Sequence, residues 1–367
     1  MKEEKTKKIN LIIDGNLLAR KSFYKFKNLS TEIKNKELKL VSKSLLKKDK
    51  ENKKKIISDN SGRDISFNKE GKIEKKIKEI SEREGSTIIY TGVLYGMLRS
   101  ILVACKKFNI SNIVIIYDPL PEISNQFRYK IADNYKNRKK DPETEANFYA
   151  SLILAQSFFY RAGIKQVTTT KFEADDLLHY YSHKIYKDEN VIALTNDHDL
   201  FQILVPNRVK ILKIGSDYSL YTATDFKKEF SIKPKQYRDV LALGGCSTDN
   251  VKGVKGISKN TALSLIQKYG SIINLFENYK KESLEKRVIT ALEKEEENDL
   301  KNLKLSLKLV SLYGLNNSLK KDILTKKTTN SPEICYKQAI FLLKLLKFRS
   351  FLTESSKKSL KSIIFLK

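Results

Sequence analysis

Several features are scarce or missing in this chain, and each narrows its class. No apolar run approaches the length of a membrane-spanning helix, which argues against an integral membrane protein. The polar opening MKEEKTKK shows no secretory signal, so a cytoplasmic protein is expected. Only three cysteines occur, Cys105, Cys246 and Cys335, far apart and never as C-x-x-C. That spacing speaks against a disulfide framework or a structural zinc site. No H-E-x-x-H and no internal repeat is present. His179 and His183, four apart, have metal-like spacing, but a core or surface role is the expected one.

What is abundant is positive charge. Lys plus Arg number 71 against 43 Asp plus Glu, a formal net charge of +28. Such a balance suits a polyanionic partner, because Lys and Arg displace counterions from a phosphate backbone. The competing explanation is compositional, since the chain is rich in Lys, Asn and Ile. At 367 residues and 40% hydrophobic, the chain is long enough for a buried core and, as a prior, two domains.

Three apolar runs end in an acid: KINLIID (8–14), IVIIYD (113–118) and VIALTND (191–197). They read as buried strands, with another at 209–214 and helical patterns at 88–108, 145–162 and 173–187 between them. Strands alternating with helices predict an α/β fold with a mainly parallel central sheet flanked by helices. Ligands in such sheets sit beyond the carboxyl ends of the strands, where Asp14, Asp118 and Asp197 fall. A Lys- and Glu-dense stretch at 27–86 reads as an insertion carrying one or two charged helices. From about 230 onward the pattern is helical, with 285–310 as a solvated charged helix and 335–352 amphipathic.

Near the strand ends the acids Asp14, Asp118, Glu173, Asp175, Asp176, Asp197, Asp199 and Asp249 collect. Any one of them is most simply a helix cap or turn former. If the strand ends converge, however, so many carboxylates cannot all stay ionised without cations. Hard oxygen ligands favour Mg²⁺ or Mn²⁺. Two such ions about 4 Å apart activate water and stabilise the leaving oxygen of a phosphodiester.

These residues, taken in order, resemble the flap endonuclease and 5′→3′ exonuclease family, which includes phage enzymes and the 5′-nuclease domain of bacterial DNA polymerase I. The resemblance runs through IIDGN (12–16), TGVLYGMLRS (91–100), IIYD (115–118), FRYKIADNYK (127–136), FEADD (172–176), TNDHDLFQIL (195–204), LALGGCSTDN (241–250) and GVKGISKNTA (253–262). It implies a PIN-like α/β nuclease region at 1–230, with a helical arch at 127–150. A helix–hairpin–helix (H3TH) DNA-binding region at 231–330 follows, then a helix and basic tail at 331–367. It implies a metal-dependent 5′ nuclease acting on 5′ flaps, ends or RNA/DNA primers, with Asp14, Asp118, Glu173, Asp175 and Asp176 on one metal side and Asp197, Asp199 and Asp249 on the other. Lys136 and Arg128 would reach the scissile phosphate, and Tyr135 would stack on a base. Arg138 and Lys139 would also touch DNA, although this chain reads Y-K-N-R-K where the family has Y-K-x-x-R. Gly253, Val254, Gly256, Ile257 and Lys259 would hold the duplex backbone through N–H groups and a bound monovalent cation such as K⁺. The tail SIIFLK is similar to tails that dock on a sliding clamp, and a monomer is the default.

One position departs from the family. Cys246 stands where the family has a metal-ligand Asp in G-D-x-x-D-N, and a thiol is a poor Mg²⁺ ligand. Activity would then need more Mg²⁺ or prefer Mn²⁺. The alternative is a structure-specific DNA-binding protein whose catalysis is weak or lost. A small RNase of the acidic-cluster toxin type is disfavoured by the GVKGI turn, which that type lacks.

Overall fold

The computed structural model describes residues 8–34, 86–119, 126–136, 141–281, 283–312 and 316–365. The strands among them are β1 (Ile9–Asp14), β2 (Ser30–Lys34), β3 (Ser86–Tyr90), β4 (Ile110–Ile116), β5 (Lys165–Thr168), β6 (Asn190–Leu194), β7 (Val209–Leu212), β8 (Leu220–Tyr221) and β9 (Leu324–Lys326). The fold is α/β, with mixed, mostly parallel strand pairing among many helices. Two compact units are present, one of Met1–Ser124, Lys140–Thr169 and Ile323–Lys367, the other of Asn125–Lys139 and Thr170–Asp322. No helix among the described residues is long and apolar enough to cross a membrane.

In the first unit β1 pairs parallel with β4, β4 parallel with β5, and β5 antiparallel with β9. Leu11, Ile12 and Ile13 of β1 are all fully buried, as expected of a strand covered on both faces rather than one. The run TGVLYGML forms the helix Gly92–Lys107, which packs on the helix Gly15–Lys25. A Cβ at Gly92 would lie 2.2 Å from the carbonyl oxygen of Phe26, so glycine there sets how closely the two helices approach.

Several expectations change here. The helix foreseen from 88 starts at Gly92, because the β-branched stretch before it is β3, paired antiparallel with β2. These two strands frame the insertion, and the helices expected within it lie outside the described residues. The C-terminal region is not purely helical, since β9 returns to the edge of the first unit's strands. Toward the C-terminus, Leu360, Ile363 and Ile364 are buried on the helix Glu354–Ile364 within their own unit.

In the second unit β6 pairs parallel with β7, and β7 antiparallel with β8. The charged segment 285–310 is two helices, Lys286–Glu297 and Lys301–Val310, broken where Asp299 and Leu300 take positive φ. Leu292 and Leu303 are buried, so this is an amphipathic pair and not a solvated rod. The helices Tyr237–Gly244 and Lys259–Tyr269 flank the turn 253–257.

His179 and His183 stack with ring centroids 4.4 Å apart, where the helix Ala174–Tyr180 passes into a π-helical turn at Tyr181–Ile185. Burial pushes the two imidazoles down to about 3 and about 4 from 6.5, so both are neutral in the fold. The unfolded chain takes up these protons as pH falls through 6.5, so the stabilisation is present above 6.5 and is lost toward pH 4. At pH 5 the loss should be roughly 2 kcal/mol for His179, and less for the partly solvated His183. Urea midpoints at pH 7 and pH 5 check this: His179→Gln should lose less stability on acidification than the parent chain, and an equal loss would refute it.

Candidate metal centre

The second unit builds an acidic pocket from four short segments. Glu173 caps the helix Ala174–Tyr180, and the Asp176 carboxylate accepts the Glu173 backbone N–H at 3.2 Å, a capping box that fixes both acids at a strand-to-helix junction. Asp199 follows β6 in a 3₁₀ turn whose first N–H donates to Asp197 Oδ1 at 2.9 Å. Asp249 ends a second 3₁₀ turn, Ser247–Asp249. Tyr135, Glu173, Asp175, Asp199, Gln202 and Asp249 line one concavity.

Lys136 supplies the cation. Its Nζ lies 2.8 Å from Glu173 Oε1 and 3.6 Å from Asp249 Oδ2. The residue adopts φ +48°, and its backbone N–H donates to the Asp249 carbonyl oxygen at 3.1 Å. Burial opposes the charge on Glu173, but Lys136 and Arg128 more than offset it and hold its carboxyl below the usual range. Asp199 has no such partner among the described ion pairs: burial, with Asp197 beside it, raises it to about 6. Burial also raises Asp249, although Lys136 works against the shift. The oxygen donors of this pocket, two of them with carboxyls held above their ordinary range, fit a divalent cation that would relieve the repulsion.

Arg128, Tyr135 and the turn 253–257 are each engaged in contacts within the fold. Arg128 lines the same concavity but is 1% exposed. It holds Asp176 through two N–H groups at 2.5 and 2.8 Å, touches Glu173 at 3.2 Å, and donates to the Leu309 and Ser311 carbonyls at 2.7 and 3.1 Å. Asp176, 1% exposed, is thereby paired by the guanidinium. Tyr135 is 2% exposed, with its hydroxyl donating to Glu173 at 2.9 Å and its ring edge-on to Tyr129, so no face is open for a base. The turn 253–257 uses its Val254 and Ile257 N–H groups internally, on the Leu243 and Val254 carbonyls. Gly253, at φ +65°, lies where a Cβ would meet Gly245 N at 2.5 Å; Gly256 also takes positive φ. Lys259 lies 5.2 Å from the Tyr237 ring centroid; burial opposes its charge, but Tyr237 and Asp199 keep its pKa raised. Arg138 and Lys139 lie outside the described residues.

In the first unit Asp14 ends β1, and Asp118 lies two residues beyond the end of the neighbouring parallel strand β4. Asp14 is 4% exposed and caps the helix Gly15–Lys25, accepting from Leu17 N at 3.0 Å. The Asp118 N–H donates to Asn16 Oδ1 at 3.2 Å. Sequence reasoning missed Gln202, which donates to the Asp199 and Val310 carbonyls at 3.0 and 3.1 Å and so holds the Asp199 turn. Its place in T-N-D-H-D-L-F-Q was the available signal.

Two family models match the chain: "5′-3′ exonuclease, N-terminal resolvase-like domain" over residues 75–231 and "5′-3′ exonuclease, C-terminal SAM fold" over residues 232–325. The chain is 30% identical over 224 residues to a 5′-3′ exonuclease of Aquifex aeolicus, covering 61% of this chain and 72% of that one. It is 34% identical over 193 residues to a 5′-3′ exonuclease of Buchnera aphidicola subsp. Acyrthosiphon pisum, covering 52% of this chain and 65% of the relative's length. In fold it is similar to the phage T5 D15 protein co-crystallised with metal ions, at a TM-score of 0.55 and 15% identity, covering 97% of this chain and 99% of that one. A T5 5′-exonuclease structure with bound zinc gives the same TM-score of 0.55 at 15% identity, over 97% of this chain and 100% of the other.

Proposed function

This chain belongs to the 5′-3′ exonuclease family, and on that premise we propose that it is a divalent-metal-dependent 5′ nuclease. Its substrates are DNA or RNA/DNA carrying 5′ ends, flaps or single-strand/duplex junctions. The observation that carries this reading is the pocket in which Glu173, Asp199 and Asp249 converge beside the Lys136 ammonium.

Asp199 and Asp249, with Asp197 beside them, are the proposed ligands of one divalent ion, with Mg²⁺ or Mn²⁺ the expected occupant. Asp14 and Asp118 are the first unit's candidate ligands. When bound, the ion supplies a nucleophilic water and neutralises charge on the phosphate. The chain's own residues do the rest. Lys136, 29% exposed at its side chain, exchanges its carboxylate partners for the scissile phosphate and stabilises the charge that develops there. Tyr135 and Arg128 hold Glu173 in place from behind. Residues 231–330 position the duplex, with Lys259 and the turn 253–257 beside a phosphate and a K⁺ ion. Hydrolysis leaves a 5′-phosphate and a 3′-hydroxyl, as primer and flap removal require. The protein is proposed to act as a monomer in the cytoplasm.

Cleavage of a 5′-labelled flap duplex tests this. The expected result is incision near the junction with Mg²⁺ or Mn²⁺, none with chelator, and none from Asp14→Ala or Asp197→Ala proteins. Tight junction binding without cleavage under either ion would replace the reading with that of a protein that recognises flaps without cutting them, which the thiol at position 246 favours.

A further inference from the structure

The reading above leaves Cys246 outside the ligand set, yet the geometry places it inside. Its Sγ lies 3.3 Å from Asp199 Oδ2 and 2.8 Å from Thr248 Oγ1. One ligand atom each from Asp199, Cys246 and Asp249 lies within 4.8 Å of the other two, and this is the group of three such ligands found among the described residues. An ion bound by sulfur at about 2.3 Å and oxygen at about 2.0 Å in a tetrahedral arrangement separates those two atoms by about 3.5 Å. The observed sulfur–oxygen distance therefore already approximates one edge of a coordination polyhedron. The thiol is also held rigidly. Cys246 is 8% exposed, and its N–H and C=O exchange hydrogen bonds with Val251, each at 2.9 Å.

We infer that Cys246 is itself a metal ligand and that it sets the ion preference of this site, turning an all-oxygen Mg²⁺ position into a mixed sulfur–oxygen position for Zn²⁺, Co²⁺ or Cd²⁺. The inference rests on reading this pocket as the metal centre of a nuclease. Its chemical basis is ligand softness: thiolate prefers borderline and soft ions, whereas Mg²⁺ prefers hard oxygen. On binding, the S–H bond breaks, a sulfur–metal bond forms and the proton passes to solvent; no oxidation state changes.

The experiment is optical titration of the metal-free full-length chain with Co²⁺, followed by competition with Zn²⁺ and with Mg²⁺. The parent chain should show a sulfur-to-cobalt charge-transfer band in the near ultraviolet, bleached by Zn²⁺ and left intact by an equal concentration of Mg²⁺. Cys246→Ser, with Cys105 and Cys335 still present and its fold checked by circular dichroism, should lack the band and bind Zn²⁺ about 100-fold more weakly. Cys246→Asp, a second and charge-restoring variant, should lack the band and gain Mg²⁺ affinity. Co²⁺ binding without a charge-transfer band, or a band that survives in Cys246→Ser, would overturn the inference. The flap assay separates the two readings. Mg²⁺-dependent cleavage by a parent chain with no charge-transfer band removes the thiol ligand and keeps the nuclease. A Cys246-dependent band without cleavage under any ion keeps the thiol ligand and removes the nuclease.

Discussion

Arg128→Ala should destabilise the protein by about 3–5 kcal/mol, the largest stability effect expected of any single substitution here. The reason is the number of groups that one guanidinium satisfies. Its loss strands the Asp176 carboxylate, 1% exposed, and weakens the hold on Glu173, 5% exposed. It also removes the donors on the Leu309 and Ser311 carbonyls, which end the helix Lys301–Val310. Burial works against the guanidinium's charge, but Asp176 and Glu173 more than compensate and hold its pKa well above the ordinary value. Urea denaturation of the parent and variant chains measures the difference. A loss below about 1 kcal/mol, together with weakened substrate binding, would return Arg128 to the phosphate-contacting role that the family resemblance implies.

Asp199→Asn should act in opposite directions on stability and on cleavage. Cleavage should fall by about 10³-fold or more, because losing this proposed metal ligand would withdraw several kcal/mol of charge stabilisation from the transition state. The metal-free fold should gain stability at pH 7. The sign follows from the raised carboxyl: the unfolded side chain ionises near 3.8 and the folded one near 6. Between those values the folded state binds the extra proton, so stability is lost as pH rises through the window and stays lost above it. An uncharged amide avoids that cost, roughly 2 kcal/mol after allowance for partial solvation. A variant that is both inactive and less stable would mean that Asp199 is a structural acid held by Cys246 and Gln202.

Much of the fold is legible in the chain because its central strands carry apolar runs too long to be half-exposed. KINLIID became β1, and VIALTND became β6 with its acids just beyond the strand end. β5, β8 and β9 were not legible, since four residues or fewer of mixed character carry no period and pair only because a neighbour offers an edge. The segment 285–310 misled for a related reason. Its surface is so dense in Lys and Glu that the buried stripe through Leu292 and Leu303 is diluted, and the break at Asp299–Leu300 uses a leucine, which rarely takes positive φ.

Within the site the same division holds. The sequence by itself determined which acids stand at strand ends and helix starts, because a capping box such as Glu173–Asp176 and a post-strand turn such as Asp197–Asp199 are local features. It also determined that a thiol sits among them. Only the tertiary structure decided how the charges are shared. Arg128 and Lys136 are eight residues apart and both basic, yet one is 1% exposed against Asp176 and two carbonyls while the other, 29% exposed at its side chain, pairs with Glu173 and Asp249. Solvent access and the nearest opposite charge separate those two roles, and both depend on packing between segments far apart in the chain.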